Sequence, residues 1–498
     1  MTKRIIVLLW LLILIFFPFA GSLFSQSDEE RFLSLDEVIT IAREQSPDAM
    51  AARHRYRGSY WEFRSFKAGY LPGLTLDATL PNLNRNIQAV TLPDGTDVFV
   101  RRSLASSSAN LSLSQRIGPT GGRIFMSSGL ERIDLIREDS DNITSYLSTP
   151  VNIGFTQPIF GYNPFKWERK IEPLRFEEAR KRYIENLETI SVRANALFFD
   201  LLLAQINIEI NTINLESNDT LYQISKGRFS LGKIAENELL QMELNVLNSE
   251  AQLEQARIDY EAALFSFRSY LGLENVDDLT LLVPEDKHDL VIDVQDALAQ
   301  ARQNRSDILA LERSKIEAES EVSRARSENR FNANLFAVYG LTQTSNEFSD
   351  AYIDPLDQQQ LRVGVQVPIL DWGVGKGRVR VAESNRELVN TNVQQSLIDF
   401  EQEIFLRVME FNMLERQLLI ASKADTIAAK RYEVSRQRYL IGRIDILELN
   451  IALQEKDQAK QRYLAALRNY WRGYYEMRRL TLYDFQENQP ITLNFDEL

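Results

Sequence analysis

Two hydrophobic periods take turns along the chain. In VNIGFTQPI (151–159), Val151, Ile153, Phe155 and Ile159 alternate with Asn152, Gly154, Thr156 and Pro158, and LRVGVQVPI (361–369) sets Leu361, Val363, Val365, Val367 and Ile369 on one face. A period of two is the mark of a two-faced strand. GLTLDATLP (73–81) alternates in the same way, and NANLFAVYGL (332–341) occupies the corresponding place later in the chain. After 160 and again after 370 the period lengthens to that of a helix and holds for an unusual distance. Residues 164–227 and 375–441 predict helices roughly 95 and 100 Å long, where a mean helix makes about three turns. Shorter helices are expected over 35–68, 233–271, 294–328 and 443–480.

These elements are written twice. YQISKGRFSLGKI (222–234) returns as YEVSRQRYLIGRI (432–444), with Tyr222, Ser225, Arg228, Gly232 and Ile234 matched by Tyr432, Ser435, Arg438, Gly442 and Ile444. At that same spacing VNIGFTQPIF falls on LRVGVQVPIL without a gap; further upstream, AREQSPD (42–48) matches ARQNRSD (301–307) at a wider spacing. A repeat of this size defines the organisation of the chain before any single motif does. The predicted order is a first repeat over 26–272, a linker over 273–293, a second repeat over 294–480 and a tail over 481–498. The first copy is the longer, and its excess contains NLSLSQRIGPTGGRIFMSSGLERI (110–133). Alternation on both sides of GPTGG predicts an extra β-hairpin.

The short helices after the glycines carry a packing register. Ser249, Leu253, Ala256, Tyr260, Ala263, Phe267 and Tyr270 follow a 4,3 spacing, as do Ala459, Tyr463, Ala466, Tyr470, Gly473, Met477 and Leu480. Small and large residues alternating along a heptad seam predict closely packed antiparallel coiled coils. Outside the seam Glu, Arg, Lys and Gln dominate, as a solvated face requires.

The sequence of 498 residues is 44% hydrophobic and 26% charged, with a net charge of -13. An acidic chain lacks the basic footprint of a nucleic-acid binder. It has no cysteine and two histidines, His54 and His288, both in charged surroundings, so thiolate chemistry is excluded and imidazole chemistry has little to work with. No cofactor or metal site and no enzymatic activity is expected. Lys3 and Arg4, the apolar run from Ile5 to Phe19 and the small residues Ala20, Gly21, Ser22 and Ser25 read as a secretory signal peptide over 1–25. Beyond it no run reaches the ~18 to 20 apolar residues of a spanning helix. A few strands with open edges would make an exported monomer aggregate, so oligomerisation is expected. Outer-membrane barrel strands need only ~9 to 11 residues with an apolar outer face. Phe160, Tyr162, Phe165, Trp167 and Trp372 gather where strand meets helix, as interfacial aromatics do.

The signal peptide, the tandem repeat of helix, strands, long helix, glycine turn and helix, the strand ends at Gln157-Pro158 and Val367-Pro368, and the Tyr-x-x-Gly turn together resemble the TolC-like outer-membrane efflux family. The resemblance covers essentially the whole mature chain. It implies a mostly α fold with β: a long antiparallel α-helical coiled-coil barrel joined to a transmembrane β-barrel shared among three subunits. In that fold four strands per chain build a twelve-stranded barrel in the outer membrane and the helices build a periplasmic tunnel. The implied partners are two further copies, a periplasmic adaptor, an inner-membrane transporter and outer-membrane lipid, and the implied role is the exit duct of a tripartite pump or type I secretion system.

Carried onto this sequence, Gly232 and Gly442 are the tip turns and Pro158 and Pro368 mark the strand-to-helix transitions. Glu238 and Glu448, equally spaced after the two glycines, match the carboxylates near the family's periplasmic constriction. The family's second acid falls on Ile451, which cannot ionise. Tyr439 matches the position that holds the tip shut, with Glu238 as its expected partner and Phe229 as its first-copy counterpart. Arg228, Arg438 and Arg443 are candidate adaptor contacts. The implied four-strand count is in tension with the extra hairpin, whose position the sequence leaves open. Two other readings compete. GVGKGR (373–378) follows a strand and opens a helix but lacks the Lys-Ser/Thr pair and the spacing of a phosphate loop. A coiled-coil scaffold or adaptor without a conduit would need no amphipathic strands.

Overall fold

A computed structural model of the protein describes residues 31–137, 141–273, 279–284 and 290–495. The signal segment, His288 and much of the 273–293 linker lie outside those residues. The chain divides into two compact units, Met1–Ala42 with Leu197–Asp286 and Arg43–Ala196 with Lys287–Leu498.

In the first unit, β1 (Arg31–Leu33) pairs in parallel with β6 (Leu279–Leu281), and α1 (Leu35–Gln45) comes directly after β1. Gln205 clamps β6 by donating to the Leu279 carbonyl at 2.6 Å and accepting from the Leu281 amide at 3.2 Å. Gln205 sits on the later part of α3 (Pro164–Ser230), beside the buried Phe198, Phe199, Leu201 and Leu202. Asn218 of α3 donates to the buried Ser249 hydroxyl of α4 (Glu236–Leu271) at 2.8 Å. Along α4 the seam positions Ser249, Leu253, Ala256, Phe267 and Tyr270 are buried, as the 4,3 spacing requires.

The second unit holds α2 (Pro47–Ala68), strands β2 (Gly73–Thr91), β3 (Asp97–Ile117), β4 (Gly122–Ile136) and β5 (Ile143–Ile159), then α5 (Val294–Asn304), α6 (Ser306–Glu328), β7 (Asn332–Ser345), β8 (Leu356–Gln366), α7 (Val374–Leu440) and α8 (Ile446–Thr481), and the small β9 (Tyr483–Asp484) and β10 (Gln489–Pro490) pair. Six strands form one antiparallel sheet in the order β2-β3-β4-β5-β7-β8. This corrects the four-strand expectation. The 110–133 segment is no appendage: its turn joins β3 to β4, which pair in register with each other from Ile117↔Gly122 to Ser103↔Ile136. Asn163, at the start of α3, donates to the Gly118 and Pro119 carbonyls at 3.0 and 3.1 Å, which fixes that turn at the helix end of the sheet.

A second correction concerns the leading helices, expected to be continuous over 35–68 and 294–328. Each is broken. A residue before proline is pushed out of the helical region, so Ser46 sits at ψ 149 and its hydroxyl accepts from the Ala49 amide at 3.1 Å, capping α2. In the second copy Arg305 takes the same extended backbone, at ψ 144. There the cap comes from another helix: Glu185 of α3 accepts from the Ser306 amide at 2.8 Å and the Ser306 hydroxyl at 2.7 Å. Burial pushes the Glu185 carboxyl up in pKa, and the two Ser306 bonds only partly oppose it.

Helices α3 and α7 are each 67 residues long, and α4 and α8 are each 36. Within the second unit, α8 lies against α7 along the predicted seam. A Cβ added to Gly473 would come within 2.9 Å of Leu414 Cδ1 and 3.2 Å of Phe411 Cδ2, so the small residue sets how closely the helices approach. Near the C-terminal end of α8 a charge cluster is buried. Glu188 of α3, with a side chain 1% exposed, pairs with both Arg43 and Arg478, and Arg478 also pairs with Asp484. Tyr474 donates to Asp484 at 2.9 Å, and the Gln486 and Glu487 amides donate to the same carboxylate. Burial works most strongly against the Arg478 charge, but Glu188, Tyr474 and Asp484 together outweigh it and the pKa rises. Burial likewise pushes Asp484 up, but the backbone amide of Glu487 and the Arg478 charge prevail and hold it below its ordinary 3.8.

Removing one partner from such a cluster strands the others. Glu188→Ala takes the paired carboxylate from Arg43 and leaves Arg478 with Asp484 alone, and should cost about 3 to 5 kcal/mol, read as a fall in the denaturant midpoint of the far-UV helix signal. An unchanged midpoint would refute the role of the cluster. A carboxylate with a depressed folded pKa contributes stability above its unfolded pKa and loses it as pH falls through the folded value. Stability should therefore drop on acidification below the ordinary aspartate value of 3.8, and less in Asp484→Asn than in the wild type.

Candidate functional site: an apolar belt and two helical tips

The ladder register of the second unit sorts the sheet into two faces, because residues paired across antiparallel strands share a face. Leu74 of β2 pairs with Leu113, Leu113 with Met126, Met126 with Ile153 and Ile153 with Tyr339. A neighbouring row runs from Ile124 through Phe155 and Ala337 to Leu361. One residue along, on the other face, Thr75 pairs with Ser112, then Ser127, Asn152, Gly340 and Gln358. The apolar face crosses all six strands and is open, with Leu76 67%, Ile153 55% and Leu361 74% exposed. An uncovered apolar surface of this extent needs lipid or a partner against it. The sheet also ends in two unpaired edges, β2 on one side and β8 on the other.

Below the belt the strands hand over to helices. Pro158 is the penultimate residue of β5 and pairs with Asn334. Pro368 lies in the stretch after β8, where Ile369 is 92% and Trp372 89% exposed. Phe160 and Trp372 both take positive φ, 62° and 53°, where the chain turns from strand toward helix. At the second transition the Asp371 carboxylate accepts from the Gly373 and Gly375 amides at 2.9 and 2.7 Å, and these bonds hold its pKa down. Those amides are the ones a phosphate would require, so GVGKGR is a self-capped strand-to-helix turn.

The tips use one device twice. In the first unit Gly232 has φ 63°, its amide donates to the Phe229 carbonyl at 2.8 Å, and the Lys233 amide donates to the Arg228 carbonyl at 2.9 Å. In the second, Gly442 has φ 73°, with Gly442 to Tyr439 at 2.9 Å and Arg443 to Arg438 at 2.9 Å. Both are Schellman turns, which need the left-handed backbone that glycine adopts without strain. Neither glycine would clash on gaining a Cβ, so conformation and not space selects it.

Beyond the turn itself the two tips differ. Asp445 caps α8 by accepting from the Glu448 amide at 2.9 Å, whereas Ala235 at the equivalent place gives α4 no side-chain cap. Tyr439 is 5% exposed and Phe229 40%. Glu448 lies 3.9 Å from the Arg438 guanidinium, both side chains 52% exposed, so the pair is weak and screened. Arg443 and Ile451 are also exposed, and Glu238 and Arg228 belong to the first unit. The structure thus joins Arg438 to Glu448, which the sequence had placed in separate roles. Sequence reading also missed a groove of about 930 Å³ between α3, α6 and α7, lined by Trp167, Ile171, Arg324, Val381 and Arg386 among others. No local pattern could reveal it, because its walls come from three distant segments.

Residues 127–273 match the family described as outer membrane efflux protein. No curated protein sequence matches the chain. Among solved structures, the CmeC outer membrane channel of Campylobacter jejuni is similar, with 16% identity, a TM-score of 0.64, and coverage of 93% of this chain and 88% of CmeC. VceC of Vibrio cholerae gives 13% identity and a TM-score of 0.61 over 92% and 97% of the two chains. The open state of MtrE of Neisseria gonorrhoeae gives 14% and 0.61 over 90% and 88%. At these identities the structural likeness establishes the fold, and the sequence match is to the outer membrane efflux protein family over residues 127–273.

Each tip device should be separable by hydrogen exchange. Gly442→Ala forces a side chain into positive φ, and Asp445→Ala removes a helix cap. Each should raise the opening of the first turn of α8 by about 1 kcal/mol. Ala235→Asp should do the reverse at the start of α4. Equal exchange in all three variants would discount the turn geometry.

Proposed function

We propose that this chain, with the fold of the outer-membrane efflux channels, is itself an outer-membrane exit duct, a passive conduit without enzymatic activity, serving a tripartite efflux pump or a type I secretion system. An inner-membrane transporter would drive cargo into it through a periplasmic adaptor. The observation that carries this reading is the apolar belt across all six strands, backed by a row of Thr, Ser, Asn, Gly and Gln on the opposite face. Lipid outside and water inside is the one environment in which both faces are satisfied. A scaffold or adaptor has no use for such a belt.

The open edges favour a shared barrel. With an even number of strands, β8 of one copy meets β2 of the next antiparallel, the same sense as every pairing inside the sheet. A homotrimer would close on eighteen strands, where the family resemblance implied twelve. Barrel diameter grows roughly in proportion to strand number, so the opening would be about one and a half times as wide.

The second tip supplies the gate in this reading. Three copies of Glu448 around a narrow lumen favour cations, and Ile451 adds no second ring of charge. Arg438 beside Glu448 offsets part of that preference. Arg443, exposed at the turn, is the better adaptor contact, and Arg228 is the candidate at the first-copy turn.

Reconstitution of the purified protein in a planar bilayer tests the proposal. A cation-selective channel is expected, with selectivity lowered in Glu448→Gln and raised in Arg438→Gln. Absence of conductance from correctly folded protein would return the scaffold reading. Val363→Arg, on the apolar face of β8, should reduce outer-membrane insertion, since an arginine on the lipid face costs up to about 2 to 4 kcal/mol.

A further inference from the structure

The first two strands of the sheet run well past the apolar rows. From Gly73 to Arg85 the chain covers about 40 Å at ~3.3 Å per residue, or about 30 Å of height at a tilt near 40°. An outer-membrane apolar band is ~25 Å tall, so Arg85 stands at its outer boundary. There Arg85, Arg101, Arg102 and Arg137 line a single concavity of about 870 Å³, together with aliphatic residues that include Ile87 and Ile136. Ile87 is 65% exposed and Ile136 38%.

Among the described residues the charge at this place is unbalanced. Arg85 donates to the Ser103 hydroxyl at 3.4 Å and Arg102 to the Gln88 carbonyl oxygen at 3.2 Å, both neutral acceptors. Among the described residues no carboxylate lines the concavity and none pairs with any of the four guanidinium groups. Glu138 and Asp139, next in sequence to Arg137, lie outside the described residues. Lower in the same sheet, Arg132 is paired with Asp134 at 2.9 Å, so neutralisation is available where the fold uses it. By the ladder register Arg85 and Arg101, with Ile87 and Ile136, fall on the face that carries the apolar belt, and Arg102 and Arg137 fall one residue along on the other. Two like charges beside exposed aliphatic side chains on the lipid face match an anion with an apolar body. Guanidinium groups bind phosphate through paired, charge-assisted hydrogen bonds, and the height sets them level with lipid headgroups.

We infer that this rim is a binding site for the phosphate-bearing headgroup of an outer-leaflet lipid, with the guanidinium groups on phosphate and the aliphatic residues against the start of the acyl region. The inference rests on the membrane-barrel reading. It is tested with the full chain in detergent, using diphosphorylated lipid A, the same lipid dephosphorylated, and inorganic phosphate as probes. The expected result is retention of the diphosphorylated lipid about tenfold above the dephosphorylated form, a preference lost in the double variant Arg85→Gln, Arg101→Gln. Equal retention of the two lipids, or full retention by the variant, would overturn it. Displacement by inorganic phosphate at the concentration at which the lipid itself competes would show a soluble-anion site and overturn the lipid assignment. Outer-membrane fractionation of the wild type is the separate control: failure to fractionate sinks the proposed function, whereas normal fractionation without lipid preference sinks this inference alone.

Discussion

A β-sheet with one apolar face in the open and two unpaired edges cannot persist alone in water, and the rest of the second unit is arranged around that constraint. Each edge strand presents a row of unpaired backbone groups, and a bilayer offers no water to satisfy them. The remedies are closure against further strands at the edges and lipid against the face. Six strands per chain, an even number, let closure proceed by identical antiparallel seams. The turn after β3, held at the helix end by Asn163, keeps the added strand pair within the sheet instead of leaving it as a cap.

The helices meet a different demand, that of holding a long, mostly solvated surface together with a narrow core. Long helices with charged outer faces have little apolar area per turn, so close approach must make up the contact. Gly473 against Phe411 and Leu414, and Ser249 bonded to Asn218, show the two ways in which small seam residues achieve it. The buried cluster around Glu188 does something packing cannot. It ties Arg43, α3, α8 and the chain after α8 to one charged point.

Much of this was legible in the sequence because it is local. Period-two alternation found the strands, the 4,3 spacing found the seam, and the repeated glycines found turns that need positive φ. Of the two helix breaks one was legible too: Pro47 after Ser46 is a boundary signal, whereas Arg305 in the second copy carries none. Its break is held by Glu185, more than a hundred positions away in sequence. Arg438 and Glu448 are close in sequence but meet only because the Schellman turn folds one helix end onto the next. The arginine rim was invisible for the same reason, since Arg85 and Arg101 come to one face beside Ile136 only through the sheet register.

By itself, then, the sequence determined which segments are strand or helix, where the chain reverses, and that the same plan is used twice. Backbone preference and hydrophobic period are properties of neighbouring residues and survive translation into any fold. Tertiary structure alone decided how many strands share the sheet, which side of each faces out, and which charges meet. Those depend on register and on contacts between segments far apart, and a one-residue shift in pairing would have exchanged the belt for the polar face.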